Sequence, residues 1–302
     1  MLLFIEQFLN GLQLGFMLFL LSAGLTLVFG VMNLINLAHG SFYMVGAYVA
    51  ATVMQASGSF SLALLVALGA AALCGLLVEI IVLRHLYHRD HLDQVLATFG
   101  LILLFNEGTR VIWGRQPLFM DIPEAFSGSV EIVPGVPYPL YRLLIIMVGL
   151  LVAVGLYLLI NHTRLGMRIR AGASNRSMIA ALGVNIRWLY SLVFALGALL
   201  AGFAGVMAAP VFAVESGMGE NILILTFVVI VIGGIGSVKG ALLGALLVGL
   251  VDTLGRAFLP DLLQWLFDSA AANSIAASLS SMAIYLLMAI ILAIRPRGLF
   301  PA

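Results

Sequence analysis

Gly11-Leu-Gln-Leu-Gly-Phe-Met-Leu-Phe-Leu-Leu-Ser-Ala-Gly-Leu-Thr-Leu-Val-Phe-Gly-Val31 contains no charged residue, and its polar side chains are Gln13, Ser22 and Thr26. Its length matches the ~20 residues a helix needs to cross the hydrocarbon core of a bilayer. In lipid the run can satisfy its own backbone hydrogen bonds as a helix, one of the two spanning solutions open to a polypeptide. The other, a closed barrel, alternates apolar and polar residues along strands of ~10 residues. Continuous apolar sequence excludes that alternation here.

The same pattern recurs along the chain. Further candidate spans are Phe42–Gln55, Ser61–Leu83, Val95–Trp113, Leu140–Ile160, Leu189–Ala208, Ile222–Ile232, Gly240–Phe258 and Leu279–Ile294. Phe42–Gln55 and Ile222–Ile232 are short for a crossing and read as helices extended into Gly-rich flanks, or as broken or re-entrant ones. Of 302 residues, 63% are apolar and 9% charged, against roughly 25% charged in ordinary soluble proteins. With a mean hydropathy of +1.17, the chain is neither disordered, nor a nucleic-acid module, nor an ordinary soluble enzyme. Cys74 stands alone, so neither a disulfide framework nor a Cys-based metal site is available. The expected fold is all-α: a polytopic transmembrane helix bundle of about nine spans (8–10), forming a single domain over residues 1–302.

Charge placement orients the bundle. The first thirty residues lack a basic leader and carry Glu6, which argues for a retained first helix with its start outside. Alternating crossings then put Arg84, Arg89, Arg164, Arg168, Arg170, Arg176, Arg187, Lys239, Arg295 and Arg297 inside, and Arg110, Arg115, Arg142 and Arg256 outside. This satisfies the positive-inside rule and makes the C-terminus cytoplasmic. Gly114–Pro139, rich in proline and acidic residues, reads as an extracytoplasmic loop. Asn161–Trp188, basic and helix-compatible, reads as a cytoplasmic structure. No soluble domain is appended, so any motor or binding domain is expected on another chain.

Within Asn161–Trp188 a short helix is expected from Ser174 onward. Ser174 or Asn175 can cap it, Met178, Ile179 and Leu182 give it an apolar face, and Gly183 can stop it. Such a helix can fit a groove in a partner, whereas a plain basic loop would serve only to orient the chain. Between the first two spans, Asn33, Asn36 and His39 recur at a spacing that places them broadly on one side of a helix. Polar groups at membrane depth face one another or a water-filled route, so these three are candidates for a pathway or gate. His39 has no second ligand at metal spacing and reads as a hydrogen-bonding residue. Ile232-Gly-Gly-Ile-Gly-Ser-Val-Lys-Gly fails the phosphate-loop pattern, because Lys239 is followed by Gly240. Its Gly233, Gly234 and Gly236 suit close helix packing or a flexible gate. Glu107 with Arg110 and Asp252 with Arg256 have the spacing of local ion pairs. Asp252 is only a weak candidate for an ion-coupled carrier, and no nucleophile–base signature supports an intramembrane enzyme.

These stretches together resemble the permease subunits of branched-chain (hydrophobic) amino-acid ATP-binding-cassette importers, and the first of their two homologous permeases more than the second. The resemblance rests on Asn33-Leu-Ile-Asn-Leu-Ala-His-Gly-Ser-Phe-Tyr-Met-Val-Gly-Ala-Tyr, Thr163-Arg-Leu-Gly-Met-Arg-Ile-Arg-Ala, Ala180-Ala-Leu-Gly-Val-Asn, Val231-Ile-Gly-Gly-Ile-Gly-Ser-Val-Lys-Gly-Ala-Leu-Leu-Gly-Ala and Arg295-Pro-Arg-Gly-Leu-Phe. It implies a bacterial inner-membrane transport subunit without its own ATPase site or cofactor. ATP would be bound by two cytoplasmic ATPase partners, a second homologous permease would complete the pathway, and an extracytoplasmic binding protein would deliver substrate. No nucleic acid is implied. The resemblance further implies a coupling helix within Arg170–Gly183, flanked by Arg164, Arg168 and Arg170, with Asn175, Met178, Ala180, Ala181, Leu182 and Gly183 in contact with the ATPase. The chain departs from the Glu-Ala-Ala-x3-Gly loop of many importers, since no Glu precedes Ala180-Ala181. Leucine, isoleucine or valine is the family's default substrate; urea, short amides and aromatic or dicarboxylic acids are carried by some members. The competing reading is a self-contained secondary transporter or channel, disfavoured here by the lack of visible paired broken helices in two halves.

Overall fold

The opening apolar run folds as α1 (Leu2–Met32) in a computed structural model that describes residues 2–87, 89–265 and 268–300. It is followed by α2 (His39–Ser57), α3 (Phe60–Ile81), α4 (His91–Trp113), α5 (Leu140–His162), α6 (Arg164–Ser174), α7 (Arg176–Ala181), α8 (Ile186–Ala208), α9 (Met218–Gly233), α10 (Val238–Leu263) and α11 (Ser269–Ile294). Seven of these, α1, α3, α4, α5, α8, α10 and α11, are long and apolar enough to cross a membrane. The two segments expected to be short are α2, of 19 residues and less apolar, and α9, of 16. Gly114–Pro139 holds a small antiparallel hairpin, β1 (Ser129–Val133) and β2 (Val136–Pro139). Leu118 pairs with Val214, which ties this loop to the segment between α8 and α9.

α1 is the axis of the bundle. It is apolar around its whole circumference and buried along most of its length, as expected of a helix with neighbours on all sides. α8 crosses it where Gly24 meets Gly197, so closely that a β-carbon on Gly24 would lie 2.6 Å from the Gly197 carbonyl oxygen. Without a hydrophobic drive between helices in lipid, such contacts rest on close backbone approach at small residues. α10 lies along α1 through Gly11, Gly15 and Gly249, and α3 lies along α8 through Ala71, Gly75, Ala198 and Gly202. The outer helices α3, α4, α5 and α11 leave broad apolar faces exposed, among them Leu65, Leu104, Leu151 and Ile290, as a lipid-facing surface requires.

The two short helices start inside the bundle. His39 Nε2 lies 3.2 Å from the Leu21 carbonyl oxygen, and Leu21 precedes Met32, the end of α1, by ~16 Å of helix. Asn33–Ala38 therefore turns back into the bundle before α2 begins. Gly40, one residue into α2, abuts Gly219, one residue into α9, and a β-carbon on either would overlap the other's carbonyl. The chain between Ala208 and Met218 re-enters in the same manner. α1 to α3 and α8 to α10 thus repeat one plan: a long helix, a re-entrant turn, a short buried helix starting at mid-depth, and a long return.

Two expectations are corrected here. Asn33, Asn36 and His39 do not share a helix face, because residues 33–38 are not helical. Asn33 takes a left-handed backbone (φ 50°) that stops α1, and Asn36 Oδ1 accepts from the Ala38 amide at 3.1 Å, forming a side-chain turn. Paired broken helices in two halves are present after all, so their lack no longer counts against a self-contained carrier.

Candidate functional site

α6 and α7 form one basic, surface-lying unit between α5 and α8. Thr163 caps α6 by accepting from the Gly166 amide at 3.0 Å, and Asn175 caps α7 by accepting from the Met178 amide at 3.0 Å. Ser174, the other candidate cap, is the last residue of α6. Gly166, Ile169 and Gly172 turn α6 toward the bundle, while Arg164, Met167 and Arg168 are exposed. Arg170 donates to the Ile160 carbonyl and so ties α6 to the end of α5. α7 closes as a helix with a glycine stop. The Val184 amide returns to the Ile179 carbonyl at 3.3 Å and the Gly183 amide to Ala180 at 3.0 Å, with Gly183 at φ 84°. Ile179 is buried at 5% exposure, whereas Met178 is 65% and Leu182 78% exposed. The expected apolar face is therefore divided: Ile179 anchors α7, and Met178 and Leu182 point away with Ala180 and Ala181 exposed between them.

A buried charge cluster lies beneath this unit; the sequence offers Glu79 as a carboxylate near the end of its span but not its partners. Glu79, at the end of α3, is fully buried. It accepts from Arg84 Nη2 at 3.2 Å, from Ser191 Oγ on α8 at 2.6 Å, and from the Tyr87 hydroxyl. Arg84 also donates to Ser191 Oγ at 3.0 Å. Burial, followed by the bond to Glu79, raises the Tyr87 phenol above its ordinary pKa, so it stays the donor. The Tyr87 ring stands edge-on to Tyr190 with centroids 5.1 Å apart, and the Arg176 guanidinium of α7 lies 5.7 Å from the Tyr190 centroid. A continuous chain of contacts thus runs from α7 through Tyr190 and Tyr87 to Glu79, joining the surface unit to α3 and α8. Ser191 and Glu79 are 112 positions apart, and no local spacing announces them.

The gate candidates fall into two places. Asn36 and His39 are fully buried at the start of α2, where Asn36 Nδ2 and His39 Nδ1 lack a partner among the described residues. Asn33 is exposed at the end of α1. Gly233, Gly234 and Gly236 lie at the end of α9, where Gly233 packs on Gly240 and Gly236 on Gly30 of α1. There the C-terminal Arg295-Pro-Arg-Gly-Leu-Phe stretch has a structural role. The Leu299 and Phe300 amides donate to the Ile232 and Gly233 carbonyls at 2.9 Å each, which satisfies acceptors that the end of α9 leaves open. Glu107–Arg110 and Asp252–Arg256 form the expected local ion pairs, at 2.5 and 2.8 Å. Among the described residues no group of His, Cys, Asp and Glu could hold a metal ion.

Comparison with known proteins covers nearly the whole chain. The family model described as "Branched-chain amino acid transport system / permease component" matches residues 7–293. The high-affinity branched-chain amino acid transport system permease protein BraD of Pseudomonas aeruginosa is 31% identical, over 83% of this chain and 86% of its own length. The permease protein LivH of Salmonella typhimurium, of the same description, is 31% identical over 85% and 87%. The ribose import permease protein RbsC of Escherichia coli is 27% identical over 77% and 72%. No solved structure matches the chain.

Proposed function

The chain belongs to the branched-chain amino acid transport permease family, and on that premise we propose that it moves branched-chain amino acids inward as one permease of an ATP-binding-cassette importer. It is a multi-pass membrane protein and a transport subunit. In the proposed assembly a second permease completes the pathway, two ATPases act on the α6–α7 side, and a binding protein delivers substrate on the opposite face. The α6–α7 side is then cytoplasmic and the membrane the bacterial inner membrane. The observation that carries the coupling role is α7 itself: a capped helix held by Ile179, presenting Met178 and Leu182 to a partner. Arg164 and Arg168 flank that surface, and Arg170 fixes α6 to α5. The contact chain from Arg176 to Glu79 gives a movement of α7 a solid route to α3 and α8. A contiguous set of packed and hydrogen-bonded side chains of this kind can carry coupling between separate sites.

The amino-acid substrate is read from the relatives. The similarity to a ribose permease fits a scaffold that takes different cargo, with selection by the delivering protein. Asn36 and His39, buried with open hydrogen-bonding atoms where α2 and α9 meet, are our candidates for the moving gate, together with Gly233, Gly234 and Gly236. Affinity purification of a tagged chain from its native membrane tests the assembly. Two ATPases and a second permease co-elute if the reading holds, and a chain recovered without them contradicts it.

A further inference from the structure

α5 and α10 both pack on α1, and between them lies a slot over α1 that α6 borders at one end. The slot is a cavity of 620 Å³, within the ~300–1,000 Å³ range of ligand pockets. It extends along α1 from Phe19 to Val31, about 18 Å of helix. Its walls are mostly apolar, with Phe19 and Leu27 of α1, Ala153 and Ile160 of α5, and Leu242 of α10, and Thr26 of α1 is a polar residue among them, its buried hydroxyl without a partner among the described residues. The α6 end is different. Arg170 and Lys239 line it, and both lie against one turn of α5. Arg170 donates to the Ile160 carbonyl, and Lys239 Nζ stands 5.6 Å from the Tyr157 ring centroid. Among the described residues no Asp or Glu lines the cavity and neither cation forms a salt bridge. The first turn of α10 and the last turn of α6 both border it, so their opposed dipoles largely cancel and the side chains set the charge.

A mostly apolar slot between two helices long and apolar enough to cross a membrane, ending in Arg170 and Lys239, is complementary to one molecule the bilayer always supplies. We propose that it binds an anionic phospholipid, with an acyl chain lying along α1 between α5 and α10 and the phosphate between Arg170 and Lys239. A zwitterionic lipid offers the same chain but a compensated headgroup, and a free phosphate offers the charge without the chain. Discrimination between the three therefore reports the two halves of the site separately.

The test uses the assembled, detergent-purified complex and native mass spectrometry with added phosphatidylglycerol, phosphatidylcholine or inorganic phosphate. Phosphatidylglycerol is expected to be retained on the chain at least tenfold more than phosphatidylcholine, with no protection from inorganic phosphate. Lys239→Gln is expected to abolish that preference, and Ala153→Trp, which fills the slot and leaves both cations, to expel both lipids. Arg170 also ties α6 to α5, so Lys239→Gln is the cleaner charge variant. Equal retention of the two lipids, competition by inorganic phosphate alone, or unchanged preference in Lys239→Gln overturns the proposal. So does an assembled complex that excludes lipid from the slot when the isolated chain retains it, since a helix of the second permease would then be the occupant.

Discussion

Replacing Met178 and Leu182 together by alanine separates docking from folding. Fully burying a Met or Leu side chain contributes about 1.5–3 kcal/mol. Met178 is 65% and Leu182 78% exposed, so each has most of that contribution still to give to a partner. Covering both on docking is worth about 2–4 kcal/mol, which at ~1.4 kcal/mol per tenfold is a roughly 30- to 700-fold loss of affinity in the double variant. Alanine keeps its β-carbon, which places the expected loss toward the lower end. The assay is binding of purified ATPase subunits to the permease pair in nanodiscs, with thermal unfolding of the permeases measured alongside. The double variant should lose affinity while its unfolding midpoint stays within error of the parent. Ile179→Ala should behave differently: it empties a buried site, costs about 2–5 kcal/mol locally, and disturbs α7 whether or not an ATPase is present. Undiminished ATPase binding by the double variant would refute the outward role assigned to α7.

Glu79→Gln probes the cluster that joins α7 to α3 and α8. Breaking a buried pair typically costs 3–5 kcal/mol, but the Arg84 side chain is 33% exposed and can turn to water, so about 2–3 kcal/mol is expected in chemical denaturation. The same variant should lower the stimulation of ATP hydrolysis by the loaded binding protein more than basal hydrolysis, whereas a merely structural carboxylate would lower both alike. Gly40→Ala places a methyl against the Gly219 carbonyl and should destabilise by about 1–3 kcal/mol, the usual range for overpacking. Gly69→Ala meets open space in the mid-portion of α3 and should be neutral or gain up to ~1 kcal/mol from helix propensity. Equal melting behaviour of these two variants would exclude the mid-depth contact of α2 and α9.

The helices were legible because lipid leaves apolar sequence few alternatives: α3, α5, α8 and α10 each begin within a few residues of an apolar run's start, whereas α1 starts at Leu2, well before Gly11. Asn175, Ile179 and Gly183 were legible because capping, burial and helix termination act within one turn. The re-entrant turns were not. Asn33–His39 has a helical spacing of polar residues, but Asn33 at positive φ and the side-chain turn at Asn36 break the helix, and the tertiary fit of Gly40 against Gly219 sets where α2 starts. The period of Gly166, Ile169 and Gly172 could have revealed α6 as a helix in its own right. In the Glu79 cluster Arg84 and Tyr87 are near in sequence, but the Ser191 contact had no local signal, because it arises only through the packing of α3 on α8. The C-terminal Arg-Pro-Arg-Gly-Leu-Phe stretch read as a family signature, and its bonds to the end of α9 give it a physical role.

In the proposed transport cycle this chain conducts substrate only as part of an ATP-driven assembly. This is tested most directly in liposomes holding the purified chain alone, the permease pair, or the full complex with ATP and a leucine-loaded binding protein. Accumulation of labelled leucine against a gradient by the full complex, abolished without ATP or without the binding protein and absent for the chain alone, is the predicted result. Leucine uptake by the chain alone, driven by an ion gradient with no ATPase present, would contradict the account and make the paired half-helices those of a self-contained carrier.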